Sequence, residues 1–200
     1  VTSIIKSGFT DYFIRENGLV AFEGFKEWLL CPEMLIDASE KWWGDFGVRD
    51  VRHAGLDLCC YKTSKDKISY MNGDTKIPAM YDGLLVGVID DFLGKSLILK
   101  HSLPGIEVED FFTIYGHTHP EQGIHIGKAY KEGETIARVA DMDRSRVRPH
   151  LHISIGLLSK PIPYERLDWA NMSDPDTMTL IDPLQVIDRY SVVPSCEFYT

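Results

Sequence analysis

Four of the seven histidines in this 200-residue chain form two His-x-His pairs, His117 with His119 and His150 with His152, each inside a run of β-forming residues. In a strand, residues i and i+2 point to the same face, so each pair presents two imidazoles side by side, which is how a sheet builds a metal site. A third segment, His53-Ala-Gly-Leu-Asp57, sets a histidine and an aspartate four residues apart at the edge of another β-rich run. Four residues of straight strand span roughly 13 Å, too far for both side chains to grip one ion, so the chain has to bend between them. Gly55 is expected to supply that bend through a positive φ, letting His53 fold back over Asp57 at the strand start. The three segments together hold enough ligands for a zinc ion bound by two histidines and one carboxylate, with a position left for water. Such a set leaves the ion one net positive charge and brings bound water to a pKa of about 7, so hydrolysis is the natural chemistry. A different selection, His117 and His119 with either His150 or His152, would make a three-histidine site suited to small-molecule hydrolysis.

A β framework has to carry these residues. Short β-rich runs cut by Gly, Pro, Asn and Asp occupy 56–61, 84–92, 96–102, 111–118, 135–140 and 150–158, the pattern of an antiparallel β domain. Ahead of them, Phe22, Phe25, Trp28 and Leu29 recur at spacings that predict one face of a short helix. After Pro161, the turn residues Pro163, Asp174-Pro175-Asp176 and Asp182-Pro183 favour an extended tail packed on the domain. The expected organisation is an N-terminal extension over 1–45, a site-bearing domain over 46–160 and a tail over 161–200.

Composition narrows the classes. With 44% hydrophobic and 26% charged residues the chain can bury one core of domain size. No apolar run approaches the roughly 18 residues of a membrane span, so none is expected in this chain. Thirty acidic against 21 basic residues give a net charge of −9, which repels phosphate backbones and argues against nucleic acid as a partner. Four cysteines at irregular spacing, with no C-x-x-C pair, suggest neither a disulfide scaffold nor a structural zinc site. Cys59 and Cys60 read as small core fillers. A chain starting at Val1, without an initiator methionine, reads as a processed or trimmed product from which a targeting segment has been removed.

The motifs resemble those of the M23 metallopeptidases, the lysostaphin-like or LytM-like endopeptidases that cut peptide links in bacterial cell-wall peptidoglycan. His53, Gly55 and Asp57 match H-x-G-x-D; Thr113, Tyr115 and His117 match T-x-Y-x-H; and His150-Leu151-His152 matches H-L-H after Pro149. The three occur in the family's order over about half the chain. The resemblance implies a mainly β fold, an antiparallel sheet curved into a groove (the lysostaphin/LytM-like duplicated hybrid motif), here with an N-terminal helical extension. It implies Zn2+ held by His53, Asp57 and His152, with His117 and His150 as unliganded catalytic histidines. His150 is then expected to take the proton of the attacking water and pass it to the leaving amine. His117 would orient the scissile carbonyl or help stabilise the oxyanion, although which ring is the base stays open. Tyr115 belongs with the substrate-binding residues on this reading.

The chain departs from the family in two places. The loop before H-L-H, usually small and glycine-rich, is 141–148 here and carries Arg144, Arg146 and Arg148. Arg146 and Arg148 could clamp substrate carboxylates. Thr118 and His119 follow His117 in place of a leucine and a variable residue, making His119 either an outer partner of the site or a rival of His117. Residues 106–110 also lengthen the preceding loop and are expected to shape the cleft wall.

The expected function is zinc-dependent endopeptidase cleavage of peptidoglycan cross-links, with wall peptides as partners and a periplasmic or extracellular location. The alternative is a catalytically silent scaffold that binds wall peptides or activates a cell-wall amidase. Gly94-Lys95-Ser96 lacks the earlier glycine and following helix of a phosphate-binding loop, and neither H-E-x-x-H nor G-x-S-x-G occurs.

Overall fold

The computed structural model describes residues 6–20, 23–102, 111–141 and 147–197. In chain order its helices and strands are α1 (Phe9–Glu16), β1 (Phe25–Leu30), β2 (Leu56–Leu58), β3 (Cys60–Thr63), β4 (Ile68–Tyr70), β5 (Lys76–Pro78), β6 (Gly83–Asp91), β7 (Gly94–His101), β8 (Phe111–Pro120), β9 (Ala129–Tyr130), β10 (Thr135–Val139), β11 (Leu151–Leu158), α2 (Trp169–Met172), β12 (Met178–Ile181) and β13 (Tyr190–Val192). The protein is mainly β. Among the described residues one sheet runs β13-β1-β3-β4. A larger one runs β12-β11-β8-β7-β6-β9, with β2 added on β11, β10 on β8 and β5 on β10. The pairing is antiparallel except for β1 against β13.

The helix expected around Phe25, Trp28 and Leu29 is instead strand β1, and Phe22 lies outside the described residues. Its apolar residues pack into the aromatic cluster of Phe9, Phe13 and Tyr61, where Trp28 is fully buried. Spacings of three and one fit a helix face, but pairing with β3 on one side and β13 on the other overrides them. The helix of this region lies earlier, at α1, which turns Phe9 and Phe13 inward. Residues before 45 and after 160 share the principal core, from Phe9 to Ile187.

The central strands are buried on both faces, and alternation assigns each face its own core. On β8, Phe111 and Tyr115 join the principal core, whereas Phe112 and Ile114 join a smaller one with Ile98, Leu167, Met172 and Met178. The smaller core is roofed by the chain after 160, including α2, whose N-cap Asp168 and Asn171 form a reciprocal capping box. Cys31 and Cys196 form a disulfide with Cα atoms 5.5 Å apart, a bridge the cysteine spacing did not suggest. Cys59 and Cys60 are free and buried, and burial pushes the Cys60 thiol up to about 12.

Candidate metal centre and active site

Asp57 sits in the middle of β2 directly opposite His152 on β11, between Leu56 and Leu58, which point into the principal core. His53 comes from the preceding loop, where its backbone N–H donates to Ala38 O and its carbonyl accepts from Asp37 N. The fold-back expected of this segment occurs: His53 Nε2 lies 3.1 Å from Asp57 Oδ1. Gly55 permits it for a different reason than a positive φ, which it does not adopt. A Cβ at Gly55 would stand 2.2 Å from Ile153 O and 2.8 Å from His152 Nε2, so only glycine lets the loop lie against β11.

Three atoms converge here. His53 Nε2 is 3.0 Å from His152 Nδ1, and His152 Nδ1 is 2.9 Å from Asp57 Oδ1. His53 Nδ1 faces Leu35 O at 2.9 Å; a carbonyl only accepts, so the neutral ring carries its proton there and its lone pair on Nε2. His152 Nε2 is 2.8 Å from Ser154 Oγ, two residues along the same strand face. Three acceptor atoms with at most one proton among them are a donor set that a cation satisfies. Their 2.9–3.1 Å triangle is close to the edge of roughly 3.3 Å between tetrahedral ligands each about 2.0 Å from zinc. Burial would push the Asp57 carboxyl up, but the His53 and His152 imidazoles packed against it outweigh burial and hold it well below the ordinary carboxylate range. Burial lowers His152 to about 4 despite Asp57.

The second carboxylate oxygen has its own partners. Trp42 Nε1 donates to Asp57 Oδ2 at 2.7 Å, and Arg49 Nη2 lies 3.6 Å away while donating to Glu33 O, with Arg49 Nε donating to Glu40 O. Outer partners of this kind fix a ligand's orientation. Trp42 is fully buried, as core covering requires, but its indole N–H is spent on the metal-ligand candidate. It reaches Asp57 from a loop closed by the Glu40–Val48 bridge and turned at Gly44, which has φ of +67°.

His117 and His150 adjoin this cluster. Their ring centroids are 4.7 Å apart, and the His117 ring is 6.0 Å from that of His152. His150, just ahead of β11, has Nδ1 2.9 Å from Arg148 O and an edge contact with Trp42. Burial lowers it to about 3, so the ring is neutral near pH 7 and its remaining nitrogen, Nε2, is an acceptor. All five residues line one cavity of about 320 Å³, walled by Trp43, Arg49 and Arg52, by Phe92, and by Trp169.

His119 does not join them. Leu97 pairs with Tyr115 but Lys95 pairs with Thr118, so Gly116 and His117 together oppose Ser96 in a β-bulge, with His117 at φ +60°. The extra residue shifts the side-chain phase. His117 joins the face of Gly116, against which His152 packs, and His119 is left exposed. The side-by-side imidazoles expected of this pair, and with them the three-histidine site, are not formed. Tyr115 also stays away from the cavity: it is buried in the principal core on the other face, with its hydroxyl accepting from Met80 N at 2.8 Å. The Arg148 guanidinium stacks 4.6 Å over the Tyr70 ring of the smaller sheet. Arg146 and residues 106–110 lie outside the described residues.

Asp91, Trp42, Arg49, Ser154 and Trp169 are the participants that motif spacing missed. Strand alternation places Ser154 beside His152, but no pattern ties the other four to the histidines along the chain.

No family model matches the chain, and no curated protein sequence matches it. Among solved structures, that of lysostaphin is 19% identical over 69% of this chain and 50% of its own, with a TM-score of 0.42. A putative glycyl-glycine endopeptidase LytM from Ruminococcus gnavus is 14% identical over 72% of this chain and 50% of its own, at a TM-score of 0.43. A zinc-containing peptidase from Vibrio cholerae is 19% identical over 73% and 41%, at 0.41. Each is a likeness of fold over part of the chain, and this chain spans half or less of each of these structures.

Proposed function

We propose that this protein is a zinc-dependent endopeptidase of the M23 kind that hydrolyses peptide cross-links of bacterial peptidoglycan. The observation that carries the reading is the convergence of His53 Nε2, Asp57 Oδ1 and His152 Nδ1 within about 3 Å of one another, in a cavity that His117 and His150 also line. His53, Asp57 and His152 would hold the ion. When bound, zinc supplies a Lewis acid for the scissile carbonyl and a water acidic enough to be deprotonated near neutral pH. His117 and His150 are the two imidazoles placed to move protons between that water and the leaving amine. Trp43, Phe92 and Trp169 offer apolar walls for a peptide, and Arg49 and Arg52 set positive charge on the side where it would enter.

A location in the cell envelope, periplasmic or extracellular, fits this substrate and the Cys31–Cys196 disulfide, a bond of oxidising compartments. The test is mass spectrometry of muropeptides after incubation of purified sacculi with the zinc-loaded protein. Cleaved cross-links are expected, abolished by chelator and by His150→Ala. Intact muropeptides from a protein shown to hold stoichiometric zinc would overturn the assignment.

A further inference from the structure

Asp91, the last residue of β6 at the β6–β7 hairpin, lines the same cavity, with its carboxylate surrounded by donors. Oδ1 accepts from Leu93 N at 2.9 Å and lies 3.2 Å from His117 Nδ1; Oδ2 accepts from Ser96 Oγ at 2.6 Å and from His117 N at 2.8 Å. The Asp91 side chain is 3% exposed. Ser96 Oγ in turn accepts from Trp169 Nε1 at 3.2 Å, and the Trp169 ring makes an edge contact with His152. Burial would raise the Asp91 carboxyl, but the hydrogen bonds from the His117 ring, Ser96 and the His117 backbone hold it well below the ordinary range.

We propose that Asp91 is the positioning residue of His117, fixing both its left-handed backbone at the β8 bulge and the ring tautomer that carries its proton on Nδ1. The first half follows from the hydrogen bond to His117 N. A non-glycine residue at φ near +60° is held at a cost on the order of 1–3 kcal/mol and persists where surrounding bonds over-determine it. The second half follows from the inventory of donors. An ionised carboxylate only accepts, so the neutral His117 ring must place its proton on Nδ1, leaving a lone pair on Nε2. For the proposed peptidase, on which this consequence rests, His117 is then the imidazole with a built-in counter-charge. As the O–H bond of the attacking water breaks and its oxygen bonds to the carbonyl carbon, the proton passes to Nε2. It moves on to the amine nitrogen when the C–N bond breaks. Asp91 remains ionised throughout and never touches substrate.

Asp91→Asn keeps the size but offers one acceptor oxygen to a ring of donors. Ser96 can turn its hydroxyl and accept, but a backbone N–H stands on each oxygen, Leu93 N on Oδ1 and His117 N on Oδ2, and neither can accept, so His117 loses either its Nδ1 acceptor or its backbone anchor. Two-bond 1H–15N correlation spectra of histidine-labelled protein, with the backbone amide signals, recorded with and without zinc, read this directly. The parent is expected to show His117 protonated on Nδ1, and Asp91→Asn to show either the Nε2 form or a His117 amide signal displaced from its parent position. With wall peptide as substrate, kcat is expected to fall roughly 10²- to 10⁴-fold with KM little changed. Ser96→Ala, which removes one support of the carboxylate, should give a smaller fall in kcat. It also keeps the test open should Asp91→Asn fail to fold. An unchanged His117 tautomer together with an unchanged His117 amide signal, or an unchanged kcat, in a folded Asp91→Asn protein would overturn the proposal. If the parent shows no peptidase activity, the functional assignment fails separately, and the tautomer spectra still decide the role of Asp91.

Discussion

Strand β8 carries a polar histidine network on each of its two faces, and they are opposites. On the core face, His101 Nδ1 donates to Asp82 O at 2.9 Å, and Thr113 Oγ1 lies 2.7 Å from His101 Nε2 and 3.1 Å from the Tyr115 hydroxyl, which also accepts from Met80 N. Both ring nitrogens, the threonine and the phenol have partners from the chain itself, and no ion is needed. On the other face, His53, Asp57 and His152 turn three acceptor atoms toward a single point. Buried polar groups are hydrogen-bonded as a rule. Among the three atoms of the second face the only proton the chain can supply is one on His152 Nδ1, so acceptors outnumber donors there. Both networks are buried; the balance of donors against acceptors separates them.

That contrast can be broken most severely at Asp57. Asp57→Asn should abolish stoichiometric zinc binding, measured by elemental analysis after gel filtration, while far-UV circular dichroism stays that of a folded β protein. Retained zinc would show that the three atoms are not the metal site. The sealed face should announce itself through acid sensitivity instead. Burial lowers His101 to about 4 from an ordinary value of 6.5. Between those values the unfolded chain takes up a proton that the native protein refuses, so stability rises with pH across this window and is lost as pH falls from 6.5 toward 4. The loss should be on the order of 3 kcal/mol. Urea unfolding of metal-free protein at successive pH values reads it; His150 and His152, lowered to about 3 and about 4, add to the same slope, so His101→Asn should remove its own share and leave theirs. If the variant and the parent track each other, His101 is not the source.

Smaller changes sharpen the distinction. Trp42→Phe removes the donor to Asp57 Oδ2 and keeps most of the ring, and is expected to weaken zinc binding about 10- to 100-fold in competition with a chromophoric chelator. Tyr115→Phe, on the core face, should cost about 1–3 kcal/mol of unfolding free energy by stranding the Met80 N–H. It should leave zinc affinity where it was; a matching loss of affinity would mean that the two networks are coupled through β8.

The sheet and the cluster of His53, Asp57 and His152 were legible because both are written in short-range patterns. Apolar runs punctuated by turn residues located β6, β7, β8, β10 and β11 to within a few residues, and three motifs named the histidines and the aspartate that do come together. What was not legible depends on partners distant in the chain. β1 has a helical spacing and becomes a strand because β3 and β13 flank it. His119 was assigned to the site by counting in twos along β8 and Tyr115 through the family motif, and the bulge at Gly116 and His117 breaks the count that would put either on the face of His117. Asp91 and Trp42 belong to no motif and are recruited by a hairpin turn and by a loop docked against β2 and β11. Gly55 was identified correctly as indispensable, yet for its conformational range when the structure uses its lack of bulk.

The bulge also sets which kind of genetic change this strand can survive. Exchanging the side chain at 119 alters only an exposed position, whereas deleting Gly116 would keep the ladder to β7, abolish the bulge and seat the imidazole of residue 117 in Gly116's place, where even a Cβ stands 3.2 Å from His152 Cβ. At this point of the molecule, reading frame within the strand matters more than residue identity.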